Sequence, residues 1–133
     1  MRKNLCTVFM VLLLIGMSAC STTANNARTS LDWEGSYMGI IPAADGPGIN
    51  VQITLRADQS FTIVYNHIDR QGIATESGIF SWNENGSVIT LKHTTFPPFY
   101  MVGENHLLQL DMKGKRITGK LADQYVLRKR VNS

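Results

Sequence analysis

The sequence predicts an all-β fold, a small antiparallel meander closed into a barrel. Apolar and polar residues alternate with a period of two in many short runs, the pattern of half-buried strands. Short polar, glycine-containing segments separate these runs at the spacing of hairpin turns. No window sustains a 3.6-residue period over three helical turns. Because a meander leaves two exposed sheet edges, we expect the edges to pair and close the barrel.

The clearest strands form one hairpin. Apolar residues occupy every second position from Ile49 to Leu55 and again from Phe61 to Tyr65, and Ala57–Ser60 supplies the turn between them. The other strand-like runs are Trp33–Ile41, Ala74–Trp82, Val88–Lys92, Phe99–Gly103, Leu107–Asp111, Arg116–Gly119 and Tyr125–Arg128.

Alternation also predicts which side chains face the barrel interior. The predicted core residues are Trp33, Tyr37, Ile41, Val51, Ile53, Leu55, Phe61, Ile63, Phe80, Trp82, Leu108, Leu110, Tyr125 and Leu127. A barrel of about eight strands is either packed solid or just wide enough for one small ligand, and the sequence leaves both open.

Residues 1–19 have the features of a lipoprotein signal peptide. Arg2 and Lys3 precede an apolar stretch that is too short for a permanent membrane helix, and Ser18-Ala19 place small residues before Cys20. We expect cleavage before Cys20 and lipidation of its thiol, which anchors the protein in a membrane. This N-terminus is similar to those of lipoproteins of Gram-negative bacteria, in which an Asp at the position of Ser21 would signal retention in the inner membrane. The expected location is therefore the bacterial outer membrane, with the domain facing the periplasm.

Behind the anchor we expect a flexible tether, residues 20–31, and then one barrel domain, residues 32–130. The tether is small and polar, with nothing to bury. Arg2 and Lys3 account for most of the formal net charge of +3, so the mature domain lacks the basic face of a nucleic-acid binder. The basic cluster Arg128–Arg130 is either a solvated edge or a contact for anionic lipid headgroups or lipopolysaccharide.

A specific motif begins at Trp33 and resembles the start of the NlpE N-terminal domain, W-x-G-x-Y-x-G-x-L-P-C-A-D-C-P-G-I. The matching positions are Trp33, Gly35, Tyr37, Gly39, Pro42, Ala44, Asp45, Pro47, Gly48 and Ile49. The resemblance continues through most of the predicted strands to Tyr125–Leu127. It implies a lipocalin-like β-barrel and an envelope lipoprotein of a family tied to copper resistance and envelope-stress activation.

Ala43 and Gly46 stand where the family has its two cysteines. Thiolates suit copper(I) and redox sensing, and neither Ala43 nor Gly46 can supply one. Cys6 leaves with the signal peptide and Cys20 carries lipid, so the folded domain has no free thiol. We also expect this chain to lack the second, C-terminal barrel of the stress-signalling family members.

The sequence contains no catalytic motif, and we expect no enzyme activity, no cofactor and no metal site. The three histidines, His67, His93 and His106, fall at strand ends or turns without the spacing of metal ligands. Met38 and Met101 could offer thioether sulfur to copper(I), but methionines within strands more often fill gaps in packing.

The expected function is binding. We expect a non-catalytic adaptor for an unknown envelope protein, with an interaction surface on two loops. Its candidate residues are Pro42, Ala43, Gly46, Pro47, Phe96 and Phe99. The alternative is a lipocalin-like carrier of a small apolar ligand. The aromatic, proline-rich segment Phe96–Tyr100 is either a plug packed on the core or an exposed binding surface, and burial of Phe96 and Phe99 decides between these.

Overall fold

Residues 26–131 form an eight-stranded closed antiparallel barrel in a computed structural model, which describes these residues. Neighbours in the chain are neighbours in the barrel, and β8 pairs with β1 to close it. The prediction of an all-β barrel is confirmed. The strands are β1 (Gly35–Ile41), β2 (Ile49–Leu55), β3 (Ser60–His67), β4 (Ala74–Trp82), β5 (Val88–Leu91), β6 (Phe99–Gly103), β7 (His106–Gln109) and β8 (Val126–Lys129). Two short helical turns complete the described chain, α1 (Ala27–Ser30) and a 3-10 turn (Ala122–Gln124). No helix in the described range is long and apolar enough to span a bilayer.

The predicted β2–β3 hairpin is present. Ile53 lies opposite Ile63, and Leu55 lies opposite Phe61. Asp58 fixes the turn, since its carboxylate accepts hydrogen bonds from the backbone N–H of Ser60 at 2.9 Å and from its hydroxyl at 2.6 Å. These hydrogen bonds lower the pKa of Asp58.

The prediction of a strand at Arg116–Gly119 is wrong. This segment belongs to the long β7–β8 connection, residues 110–125, and makes one isolated bridge, from Leu110 to Arg116. Because β7 and β8 pair directly, no place is left between them for another strand.

One core assignment is also wrong, that of Leu108. Leu107 and Gln109 point inward, while Leu108 is half-buried on the outer face of β7. Leu110 is buried as predicted but lies outside the main core cluster. The error arises because the polar Gln109 faces inward and the apolar Leu108 faces outward, which reverses the usual assignment of apolar residues to the interior.

The barrel interior is packed with apolar side chains. Tyr37, Ile53 and Ile63 are 0% exposed and Phe80 is 2% exposed, so water reaches almost none of their surface. Trp33, Trp82 and Tyr125 are partly buried against this cluster. Core residues not on the predicted list are Ile89, Leu91, Phe96, Tyr100, Val102 and Leu107.

The barrel has two distinct ends. The tether end carries residues 26–34 and the short β2–β3, β4–β5 and β6–β7 turns. The loop end carries the β1–β2, β3–β4 and β5–β6 loops, residues 42–48, 68–73 and 92–98, together with the β7–β8 connection.

Residues 26–34 cross the tether end, and the part of the expected flexible tether that the structure describes, up to residue 31, contains α1. Asn26 caps α1 through the Thr29 backbone N–H, and Arg28 donates its N–H to the carbonyl of Gly86 in the β4–β5 turn. Trp33 then packs edge-on against Phe80, 5.6 Å between ring centres. The predicted signal peptide and Cys20 lie outside the described residues.

Candidate functional site

The predicted binding residues all lie at the loop end of the barrel. Pro42, Ala43, Gly46 and Pro47 belong to the β1–β2 loop, Phe96 lies in the β5–β6 loop and Phe99 begins β6. The meander places these two sequence-distant loops at one end of the barrel because β1 and β5 both run toward it.

An ion pair joins the β1–β2 loop to the β3–β4 loop. Arg70 Nη2 lies 2.7 Å from Asp45 Oδ2, and both side chains are largely exposed. An exposed pair of this kind adds little stability. Its effect here is positional, because it holds two loops of the surface against each other.

Two glycines allow the close approach of these loops. Gly46 has a φ of +147°, and a Cβ atom there would lie 2.9 Å from Asp69 Oδ2. Gly48, at φ +145°, packs beneath Ile40 and Ile68. A side chain at position 46 would therefore strain the backbone and have to displace the Asp69 carboxylate.

Three exposed isoleucines lie in or next to the loops at this end of the barrel, and the sequence pattern did not single them out. Ile40 is 57% exposed, Ile68 42% and Ile73 72%. Ile40 precedes the buried Ile41, and adjacent residues of a strand face opposite sides. The pair Ile40-Ile41 was thus the available signal that one large apolar side chain faces solvent.

The β5–β6 loop is fastened to β4 by Glu76. Its carboxylate accepts hydrogen bonds from the Thr94 hydroxyl at 2.8 Å, the Thr95 hydroxyl at 2.7 Å and the Thr95 backbone N–H at 3.0 Å. These hydrogen bonds, chiefly the one from the Thr95 side chain, lower the pKa of Glu76.

Phe96 is a core residue rather than an exposed binding residue. It is 7% exposed, and its ring centre lies 4.7 Å from that of Tyr65. This burial corresponds to the plug interpretation of the Phe96–Tyr100 segment. Phe99 is half-buried, and its pairing with Thr90 starts β6.

The described residues contain no group of three or more His, Cys, Asp or Glu side chains that could hold a metal ion. His67 ends β3, His93 lies in the β5–β6 loop and His106 starts β7. Met38 faces outward and is 43% exposed, so it does not have the packing role expected of it.

Comparison with known proteins agrees with this architecture. The family described as the NlpE N-terminal domain matches residues 37–120. A solved structure described as a lipoprotein from Shewanella oneidensis is 41% identical and superposes with a TM-score of 0.74, covering 81% of this chain and 98% of the other. No curated protein matches the chain.

A second solved structure shares the fold. It is the Cpx pathway activator NlpE from Escherichia coli, 19% identical, with a TM-score of 0.52; the match covers 65% of this chain and 46% of that protein. The family match spans most of the barrel, and the match with the Shewanella protein covers nearly the whole length of that protein. The chain therefore belongs to the NlpE N-terminal domain family.

Proposed function

We propose that this protein is a lipid-anchored, non-catalytic adaptor that presents its loop end to a protein partner in the bacterial envelope. The observation that carries this proposal is the separation of the two ends. Residue 26 enters the barrel at the tether end, while Ile40, Ile68 and Ile73 are exposed toward the loop end. A domain anchored through its N-terminus can thus direct this surface away from the membrane.

The anchor in this proposal is Cys20, lipidated in the outer membrane with the barrel in the periplasm. Asn26 lies six positions after Cys20, and an extended chain of that length reaches about 20 Å. The barrel would stay close to the membrane surface. The similarity to a Shewanella lipoprotein supports this placement.

The proposed process is envelope-stress signalling. The fold shared with a protein described as a Cpx pathway activator supports it. A copper-sensing role through thiolates has less support, because Ala43 and Gly46 replace the cysteines. The packed interior and the exposed isoleucines favour recognition by an outer surface over chemistry in a pocket.

Site-specific photo-crosslinking in the native envelope tests the adaptor function. A photoreactive residue would replace Ile73 in the full-length, lipidated protein, and the control would replace Ile79, which is 60% exposed on β4. We expect a discrete adduct from position 73 that Phe99→Ala weakens without loss of folded protein. The absence of an adduct, or the same adduct from both positions, would argue against a partner at the loop end.

One observation favours the carrier function as a second candidate. Three buried polar atoms have no hydrogen-bond partner among the described residues, namely Trp82 Nε1, Tyr100 Oη and Gln109 Oε1. The three residues lie in one row across neighbouring strands β4–β7. Trp82 pairs with Ile89, Ile89 pairs with Tyr100, and Tyr100 pairs with Gln109. The three atoms therefore belong to one inward-facing row of side chains. Buried polar groups normally have partners, and a small guest with polar groups could supply them if the interior loosened.

A native mass spectrum of the mature domain separates the two candidates. We expect a bare polypeptide mass, because the interior is packed. An added mass of a few hundred daltons, on the order of one small ligand, that organic solvent releases would favour the carrier instead.

A further inference from the structure

A groove lies on the outside of the barrel, between the β7–β8 connection and the strands beneath it. This open groove has a volume of about 670 Å³. Leu108 and Val126, adjacent on the outer face of β7 and β8, form an apolar floor, and Ile117 lies on the side of the connection. The groove therefore has the apolar base that a lipid glycerol or the first methylenes of an acyl chain would contact.

Two arginines face the same groove, Arg116 from the connection and Arg128 from β8. Both are exposed, and the ion pairs of the described residues involve neither of them. Asp123 is the acidic residue of the lining. Guanidinium groups present paired N–H donors that match the oxygens of a phosphate.

The connection around the groove is basic and carries exposed apolar side chains. Lys113, Lys115 and Lys120 flank Arg116 in sequence. Met112 is 69% exposed and Leu121 48% exposed at the two ends of this basic stretch. Asp111 lies beside these cations, and its carboxylate accepts the backbone N–H groups of Lys113 and Lys115 at 2.9 Å each. The four cations from Lys113 to Lys120 still outnumber the two carboxylates, Asp111 and Asp123.

We propose that this groove binds the headgroup of an anionic phospholipid. Arg116 and Arg128 hold the phosphate, Leu108 and Val126 contact the glycerol and the adjoining methylenes, and the lysines add attraction to the anionic surface. Charge complementarity selects this occupant, because the arginines match the negative phosphate of such a lipid and the apolar floor between them matches its glycerol and methylenes. The groove extends along the side of the barrel from the β7–β8 connection to His106, the first residue of β7 at the tether end. A barrel held near the membrane by the proposed lipid anchor can therefore bring the groove to the membrane surface while its loop end points away. The access of the groove to a membrane rests on that proposed anchor, while its binding chemistry does not.

Vesicle binding by residues 21–133 tests the proposal. This chain contains the entire closed barrel with its core and lacks the lipidated cysteine, so binding reports on the protein surface alone. The probes are vesicles of phosphatidylglycerol with phosphatidylethanolamine, and neutral vesicles of phosphatidylcholine. The variant is Arg116→Gln/Arg128→Gln, and the matched control is Arg28→Gln/Lys92→Gln, which removes the same charge from exposed positions elsewhere.

We expect binding to the anionic vesicles and not to the neutral ones. Each cation near an anionic surface contributes about five-fold to the partition coefficient, so the groove variant should lose ten-fold or more. The control should lose clearly less. Equal losses would show attraction by net charge alone, and absence of binding to either vesicle would exclude the groove as a lipid site; both outcomes overturn the proposal. Neither outcome bears on crosslinking from position 73, which tests the adaptor function separately.

Discussion

The carboxylate of Glu76 binds Thr95 twice, through the backbone N–H at 3.0 Å and through the hydroxyl at 2.7 Å. This contact joins β4 to the β5–β6 loop where β5 no longer pairs with β4, since their pairing covers only Phe80–Trp82. The loop that carries Phe96 thus fills a gap in the sheet, and Glu76 holds it there.

Replacing Glu76 with Gln should loosen this loop. Hydrogen bonds to a charged acceptor are stronger than neutral ones, so we expect the free energy of unfolding at pH 7 to fall by about 1 kcal/mol. Urea unfolding measures the change. Glu84→Gln, in the exposed β4–β5 turn, is the control and should be nearly neutral.

The same substitution has a predicted pH dependence. The pKa of Glu76 is lowered in the folded protein, so its stabilising effect is present above the unfolded pKa, about 4.3, and is lost as pH falls through the folded value. The difference between wild type and Glu76→Gln should therefore shrink below about pH 4. A difference that stays constant down to pH 2 would show that the carboxylate charge is not what holds the loop.

Phe96 and Phe99 should respond differently to truncation. Phe96→Ala leaves a cavity against Tyr65, and we expect a loss of about 3 kcal/mol in the free energy of unfolding. Phe99→Ala, at a half-buried position, should cost about 1 kcal/mol. Equal losses in chemical unfolding would contradict the assignment of Phe96 as the core residue of this pair.

Alternation predicted most of the barrel because most strands have one apolar and one polar face. Ile53 and Ile63, for example, were assigned to the interior from their spacing and lie opposite each other there. The prediction failed at β7, where Gln109 is buried and the outer-face Leu108 is apolar. It also failed at Arg116–Gly119, whose composition suits a strand, since the direct pairing of β7 with β8 is a non-local event that composition does not encode.

The candidate site was less predictable than the fold. Proline and glycine spacing located the β1–β2 loop, but the contact of Asp45 with Arg70 joins residues 25 positions apart. Only the barrel topology brings these residues together. The plug role of Phe96 likewise depends on Glu76, which nothing in the local sequence around Phe96 indicates.

The burial of Tyr37 leads us to expect a lower free energy of unfolding at alkaline pH. Burial, with a smaller effect from Asp32, raises the pKa of Tyr37 to about 12. The unfolded chain releases this proton near pH 10, whereas the folded protein retains it until about pH 12. The free energy of unfolding should therefore fall between these values by about 1.4 kcal/mol per pH unit from this residue.

Tyr37→Phe isolates that effect. The hydroxyl of Tyr37 donates a hydrogen bond to the carbonyl of Trp33 at 2.7 Å, so the variant should lose about 1 kcal/mol at pH 7. Above pH 10 the variant should lose stability less steeply than the wild type. Parallel stability curves from pH 9 to pH 12 would mean that Tyr37 ionises as easily in the folded protein as in the unfolded chain.

Gly46→Ala tests why the β1–β2 loop has no side chain at this position. The substitution strains the backbone at φ +147° and places a Cβ atom 2.9 Å from Asp69 Oδ2. We expect a loss of about 1–3 kcal/mol in urea unfolding. Gly72→Ala is a matched control, because Gly72 also has a positive φ but has no atom within 4 Å of the added Cβ.

The excess cost of Gly46→Ala over Gly72→Ala measures the contact with Asp69. Adding Asp69→Ala to Gly46→Ala should remove this excess and leave a cost near that of Gly72→Ala, because only backbone strain then remains. If the double variant is no more stable than Gly46→Ala, the carboxylate does not restrict position 46. If the double variant recovers stability, the Asp69 carboxylate occupies the space that a side chain at position 46 would need. The loop conformation that brings Asp69 close then also disfavours a cysteine at position 46.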